Sequence, residues 1–123
     1  MNLTDIINLI VEKYNIDCIG LFGSRARNDH NEYSDYDLFV IADINLNTEL
    51  DLEAELENLL NMPVDLVRLS KDTDIILLKN IMNDALILYN KNNKYEELYS
   101  FVENFFIENY DFLKLREYDL IHG

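Results

Sequence analysis

The chain has 123 residues and a mass of 14.5 kDa, of which 49% are hydrophobic, with 24 acids against 10 bases and a net charge of −14. That length suits one domain, and that apolar fraction excludes a disordered chain. The acid excess excludes a surface built to bind a nucleic-acid backbone, which needs a basic patch, and no apolar run reaches the ~20 residues that span a bilayer.

The N-terminus, Met1 to Asp5, lacks the basic region and small-residue cleavage site of a secretion signal, so a cytoplasmic protein is expected. Cys18 is the only cysteine and cannot form an internal disulfide; it reads as a small buried hydrophobe. The negative balance suits a docking partner that is basic, and a polyanionic substrate small enough to be met by local cations.

The first predicted element is a helix starting at Thr4-Asp5, with Thr4 as cap, an apolar face of Ile6, Ile7, Leu9, Ile10, Val11 and Tyr14, and a stop at Asn15. Ile16 to Phe22 reads as a buried strand ending in a Gly23 turn, followed by a short helical turn from Ser24 to Arg27. The polar segment Asn28 to Ser34 reads as loop. Tyr36 to Ala42 is the second strand, with Asp35 and Asp37 at its entrance.

Asn45 to Met62 is a leucine-rich helix carrying Leu46, Leu50, Leu52, Leu56, Leu59 and Leu60. After Pro63, Val64 to Leu69 is a third strand with Asp65 embedded in it. Ser70 to about Asn83 is a helix capped by Ser70 or Asp72, and Ala85 to Tyr89 a fourth strand. Residues 94–121 repeat aromatic and apolar residues at helical spacing, with an interruption at Asn109. The sum is a single α/β domain over 1–123: a mixed sheet of about four strands flanked by helices, with a C-terminal helix.

The chemistry gathers between Gly23 and Asp65. Asp35 and Asp37, two apart at a strand entrance, point to one face with Cα atoms roughly 6.5 Å apart. Carboxylates so placed repel unless a cation lies between them, and Mg²⁺ or Mn²⁺ is the oxygen-seeking choice. If the third strand neighbours the second, Asp65 makes a three-carboxylate cluster. Gly23 lets backbone approach an anion, the Ser24 hydroxyl can donate to a phosphate, and Arg25 or Arg27, with Arg25 nearer the turn, can offset its charge.

Singly these features mean little: most Asp-x-Asp pairs are solvated loop acids, and most Gly-Ser pairs are plain turns. Jointly, a strand, Gly-Ser, a ten-residue interval, Asp-x-Asp entering a strand and a lone Asp in a third strand make a specific pattern.

Phe22 to Arg27, the Ser34-Asp35-Tyr36-Asp37 box and Val64-Asp65-Leu66-Val67 resemble the polymerase-β-type nucleotidyltransferase superfamily. Within it the chain is most similar to the minimal nucleotidyltransferases of the MntA type, antitoxins paired with HEPN-domain toxins. The likeness extends through Leu86 to Tyr89 and to Tyr110-Asp111-Phe112 and Arg116-Glu117.

The resemblance implies transfer of AMP from ATP, with Mg²⁺, to a tyrosine of a HEPN ribonuclease. By position it implies that Gly23 and Ser24 hold the triphosphate, that Asp35 and Asp37 bind metal, and that Asp65 activates the incoming hydroxyl. Many relatives carry glycine where this chain has Asn28, a residue that tolerates positive φ better than most. The resemblance leaves two other functions standing: an antitoxin that acts by occlusion alone, and a small-molecule nucleotidyltransferase, which usually has a second domain. Among the aromatics, Tyr95, Tyr99, Phe105 and Phe106 read as core, and Tyr110, Phe112 and Tyr118 as interface. His30 and His122 read as solvated.

Overall fold

The computed structural model describes residues 1–111 and 114–115. Phe112, Arg116, Glu117, Tyr118 and His122, with the far end of the expected C-terminal helix, lie outside the described residues.

The helices are α1 (Leu3–Tyr14), α2 (Gly23–Arg27), α3 (Leu46–Leu60), α4 (Ile75–Asp84) and α5 (Lys94–Glu108). The strands are β1 (Cys18–Phe22), β2 (Tyr36–Ile41), β3 (Val64–Arg68) and β4 (Leu86–Asn90). They form one sheet in the order β3-β2-β1-β4; β1 runs antiparallel to β2 and β4, and β2 runs parallel to β3. The parallel pair follows from the connection, since α3 carries the chain back across the sheet before β3 begins.

Period-two alternation sorts the strand residues between two apolar layers. Ile19, Leu21, Leu38 and Val40 pack with Ile6, Ile10, Leu52 and Leu56 of α1 and α3. Cys18 and Phe39 face the other way, against Leu78, Ile81, Leu98 and Val102 of α4 and α5. Of the leucines of α3, Leu46 and Leu50 are exposed, and the buried face runs through Leu52 and Leu56. The Cys18 thiol is fully buried, and desolvation pushes its pKa up to about 12, so it stays protonated and inert.

Gly20 has its own reason. A Cβ there would strike the Phe39 ring and the Leu86 carbonyl, and the β1–β4 register shifts at Ile19/Gly20. In turn Phe39 meets Tyr95 of α5, ring centroids 6.1 Å apart.

Asparagine does much of the turning. The five non-glycine residues with positive φ among those described are Asn15, Asn28, Asn61, Asn92 and Asn93. Asn15, Asn28 and Asn61 end α1, α2 and α3 in the left-handed conformation, and the N–H groups of Asn15 and Asn28 turn back to the Val11 and Ser24 carbonyls. In a chain with three glycines, Asn is the residue that tolerates this region next best.

Two helix starts differ from expectation. Asn2, not Thr4, caps α1, its Oδ1 accepting from the Asp5 N–H at 2.9 Å. Asp74 caps α4, its Oδ2 accepting from Ile76 and Leu77 at 3.1 Å each, while Ser70 and Thr73 close a separate turn before it. α5 stops at Glu108 with Asn109 as its cap, at the expected interruption.

Candidate active site

The site begins where β1 becomes α2. Gly23 takes φ +71°, a conformation that side chains rarely adopt. A Cβ at this position would also collide with the Asp37 carboxylate. Glycine is therefore needed twice here, for the turn and for the room it leaves to Asp37.

Ser24 opens the first turn of α2. Its carbonyl accepts from the N–H groups of Asn28 and Asp29, and its hydroxyl has no hydrogen-bond partner among the described residues. Asn28 sits at φ 60°, ψ 33°, a left-handed turn that ends α2.

Asp37 is the second residue of β2, and the parallel register sets it directly opposite Asp65 of β3. Asp35 lies just before β2. Alternation places Asp37 with Phe39, and Asp65 with Val67, on the α4–α5 side of the sheet. Asp37 is half-buried, whereas Asp35 and Asp65 are exposed.

None of the three accepts a hydrogen bond or forms an ion pair among the described residues. Partial burial first, then the charges of Asp65 and Asp35, push the Asp37 carboxyl above the ordinary aspartate value; Arg27 pulls the other way.

As the side chains stand, no three His, Cys, Asp or Glu residues among those described converge on a single ion position. Yet these acids repel one another across two neighbouring strands, and a divalent cation relieves that repulsion. A set of carboxylate oxygens with no nitrogen or sulfur suits Mg²⁺ or Mn²⁺.

The two arginines divide. Arg27 is exposed and paired, to Asp29 at 3.2 Å and to Asp84 at the end of α4 at 2.8 Å. Arg25 is partly buried and has no carboxylate partner among the described residues. Its Nε and Nη2 donate to the Ser34 carbonyl at 3.2 and 2.8 Å, and its Cζ lies 3.8 Å from the Tyr36 ring centroid. Sequence reasoning pointed Arg25 at phosphate and gave Ser34 and Tyr36 no role. The one available signal was that both flank Asp35.

The polymerase beta nucleotidyltransferase family matches residues 4–94, which include all six candidate residues. The chain belongs to that family.

A Methanocaldococcus jannaschii protein, named as a candidate protein adenylyltransferase, is 34% identical over 79 residues, 63% of this chain and 81% of the relative. A toxin–antitoxin crystal structure with AMP-PNP contains a chain that matches with a TM-score of 0.71 at 20% identity, over 92% of this chain and 97% of that one. The structure of tri-AMPylated Shewanella oneidensis HEPN toxin in complex with MNT antitoxin contains another, with a TM-score of 0.64 at 19% identity, over 90% and 92%. At these identities the two structures establish a nucleotidyltransferase fold over nearly the whole chain.

A groove of about 390 Å³ between α4 and α5, lined by Met82, Tyr99, Val102, Phe106 and Tyr110 among others, stands apart from the three aspartates. Tyr99, expected in the core, is exposed beside it, and so is Tyr110. No helix among the described residues is long and apolar enough to cross a membrane.

Proposed function

We propose that this nucleotidyltransferase moves AMP from ATP to a tyrosine hydroxyl of a cognate HEPN-type ribonuclease toxin in the cytoplasm, silencing it. One observation carries the reading: Asp37 and Asp65 face each other in register across β2 and β3, beside the Gly23-Ser24 turn. The named relatives, a candidate protein adenylyltransferase and an antitoxin bound to an AMPylated HEPN toxin, supply the acceptor class.

In this reading the Gly23-Ser24 turn holds the triphosphate, the Ser24 hydroxyl donating to a phosphate oxygen. Asp35 and Asp37, with Asp65, would hold Mg²⁺ or Mn²⁺, which when bound neutralises phosphate charge and lowers the pKa of the attacking hydroxyl. Asp65 takes the tyrosine proton as the phenolic oxygen bonds to the α-phosphorus. The bond from that phosphorus to the bridging oxygen breaks, and pyrophosphate leaves. β3 is an edge strand and Asp65 is exposed on it, so an acceptor as large as a folded protein reaches the base from outside.

The test is the intact mass of the co-expressed toxin. It should gain one or more AMP units with the wild-type chain and none with Asp37→Asn. Undiminished AMP addition by Asp37→Asn would sink the assignment.

A second reading, neutralisation by occlusion, draws on the fact that the three carboxylates do not converge on one ion position. It requires Asp35→Asn/Asp37→Asn to protect cells as well as wild type at ordinary stoichiometry. We expect that double variant to fail.

A further inference from the structure

Asp35 is the least anchored of the three aspartates. It lies one residue before β2, so no ladder bond of its own fixes it; the first backbone bond there is Tyr36 N–H to the Pro63 carbonyl at 3.0 Å. The loop before it is held mainly to itself. Ser34 Oγ accepts from the Asn31 N–H at 3.1 Å, and the Ser34 N–H donates to the Asn31 carbonyl at 3.2 Å. Asp29 ties its near end to α2 through Arg27 and the Ser24 carbonyl, and Arg25 ties its far end, next to Asp35.

The Arg25 guanidinium grips both neighbours of Asp35 at once, the carbonyl of Ser34 through two N–H donors and the ring of Tyr36 through its face. A planar fork with fixed donors is suited to this, whereas lysine offers a single flexible ammonium. In a chain where acids outnumber bases 24 to 10, a half-buried arginine without a carboxylate among the described residues is a guanidinium committed to backbone and ring. Its neighbour along the chain is Ser24, the candidate phosphate group. The arginine thus spans from the nucleotide turn to the metal-binding strand entrance.

We propose that Arg25 is a positioning residue that fixes Asp35 relative to the Ser24 turn and so sets the affinity for the divalent cation, without itself contacting phosphate. This rests on the nucleotidyltransferase reading of Asp35 and Asp37 given above.

The test uses the full chain and Mn²⁺ without nucleotide, with free Mn²⁺ followed by electron paramagnetic resonance. Arg25→Lys should weaken Mn²⁺ binding about 10- to 100-fold, the usual cost of removing a group that orients a metal ligand. Tyr36→Leu should weaken it in the same direction, and Tyr36→Phe, which keeps the ring face, should match wild type. Hydrogen exchange of the metal-free Arg25→Lys protein should quicken in residues 28–36 while α1 and α3 keep their protection, which separates a loosened loop from a failed fold.

A fluorescent ATP analogue then separates the roles. At saturating Mn²⁺, Arg25→Lys should bind it within about twofold of wild type, because the lost ligand geometry is recovered by mass action. A deficit that persists at saturating Mn²⁺, with Mn²⁺ affinity itself unchanged, overturns the proposal and makes Arg25 a phosphate ligand. A wild-type chain that binds ATP but no Mn²⁺ overturns the metal reading beneath it, and this proposal with it.

Discussion

Two groups of acids in this molecule behave in opposite ways. Glu55 on α3 meets Lys13 of α1, Asp84 on α4 meets Arg27 of α2, and Asp17 and Glu49 each lie 3.9 Å from a cation. At the head of β2 and β3, Asp35, Asp37 and Asp65 form no ion pair among the described residues, and the charges of Asp65 and Asp35 both press on Asp37. The first group fastens elements together with modest surface ion pairs. The second gathers like charge where folding alone gains nothing from it.

The sharpest way to break that contrast is to neutralise the unpartnered group. Asp37→Asn should lower AMP transfer by at least about a hundredfold, since it removes a carboxylate that would hold the cation opposite the reacting phosphate, while far-ultraviolet circular dichroism stays unchanged. Asp84→Asn, from the partnered group, should keep most transfer. Equal losses in the two variants would erase the distinction.

Next comes the metal. Mn²⁺ at about a hundredfold excess over its Kd should stabilise the wild-type chain by about 2.7 kcal/mol, because it binds only the folded state. Thermal melts should show no such gain in Asp35→Asn/Asp37→Asn. A gain that survives the double substitution would place the cation elsewhere.

Gly23 gives the third measure, because it carries the fold and the site together. Gly23→Ala forces a side chain into positive φ, at about 1–2 kcal/mol, and drives it against Asp37. Urea melts should show that loss, and Mn²⁺ binding should weaken beyond it. Gly20→Ala should also destabilise, through the Phe39 ring and the Leu86 carbonyl, yet leave Mn²⁺ affinity intact.

How far the sequence foretold these things depended on whether a periodicity or a choice decided each one. The facing of Asp37 and Asp65 was legible because strand alternation and the embedded position of Asp65 leave few arrangements, and the parallel register supplied the one condition needed. The left-handed turn at Asn28 was legible from that residue's own tolerance. Helix caps were not: Asn2 and Thr4, or Ser70, Asp72 and Asp74, are all competent, and the winner is the one whose backbone is placed to reach the right N–H. The contacts of Arg25 were not legible for a similar reason. A guanidinium can turn to either side of α2, and only the path of the loop through Ser34 and Tyr36 shows which side is filled.

The smallest effects carry the comparison in their signs. Asp37 has a raised folded pKa, so the native state holds its proton longer than the unfolded chain does. Stability therefore falls as pH rises through the carboxylate range, and the penalty is fully present near neutrality. Asp37→Asn should then stabilise the metal-free protein near neutral pH by about 0.2–1 kcal/mol, the scale of a cross-strand like-charge pair, toward the low end because water screens a half-exposed carboxylate. Glu55 has the opposite shift: its hydrogen bond to Lys13 holds it below the ordinary glutamate value. Its contribution is present above the unfolded pKa and is lost as pH falls through the folded one. Glu55→Gln should thus lower the neutral melting temperature slightly, and less in high salt. In acid both variants should converge on wild type, since both carboxylates are then protonated in either state. Paired melts across the acid range, one difference curve positive and the other negative, would show that this chain keeps some acids for the fold and strains others for the site. Two curves of the same sign would mean that Asp37 is held as Glu55 is, by a partner inside the protein, and would remove the electrostatic reason for placing a cation at the head of β2 and β3.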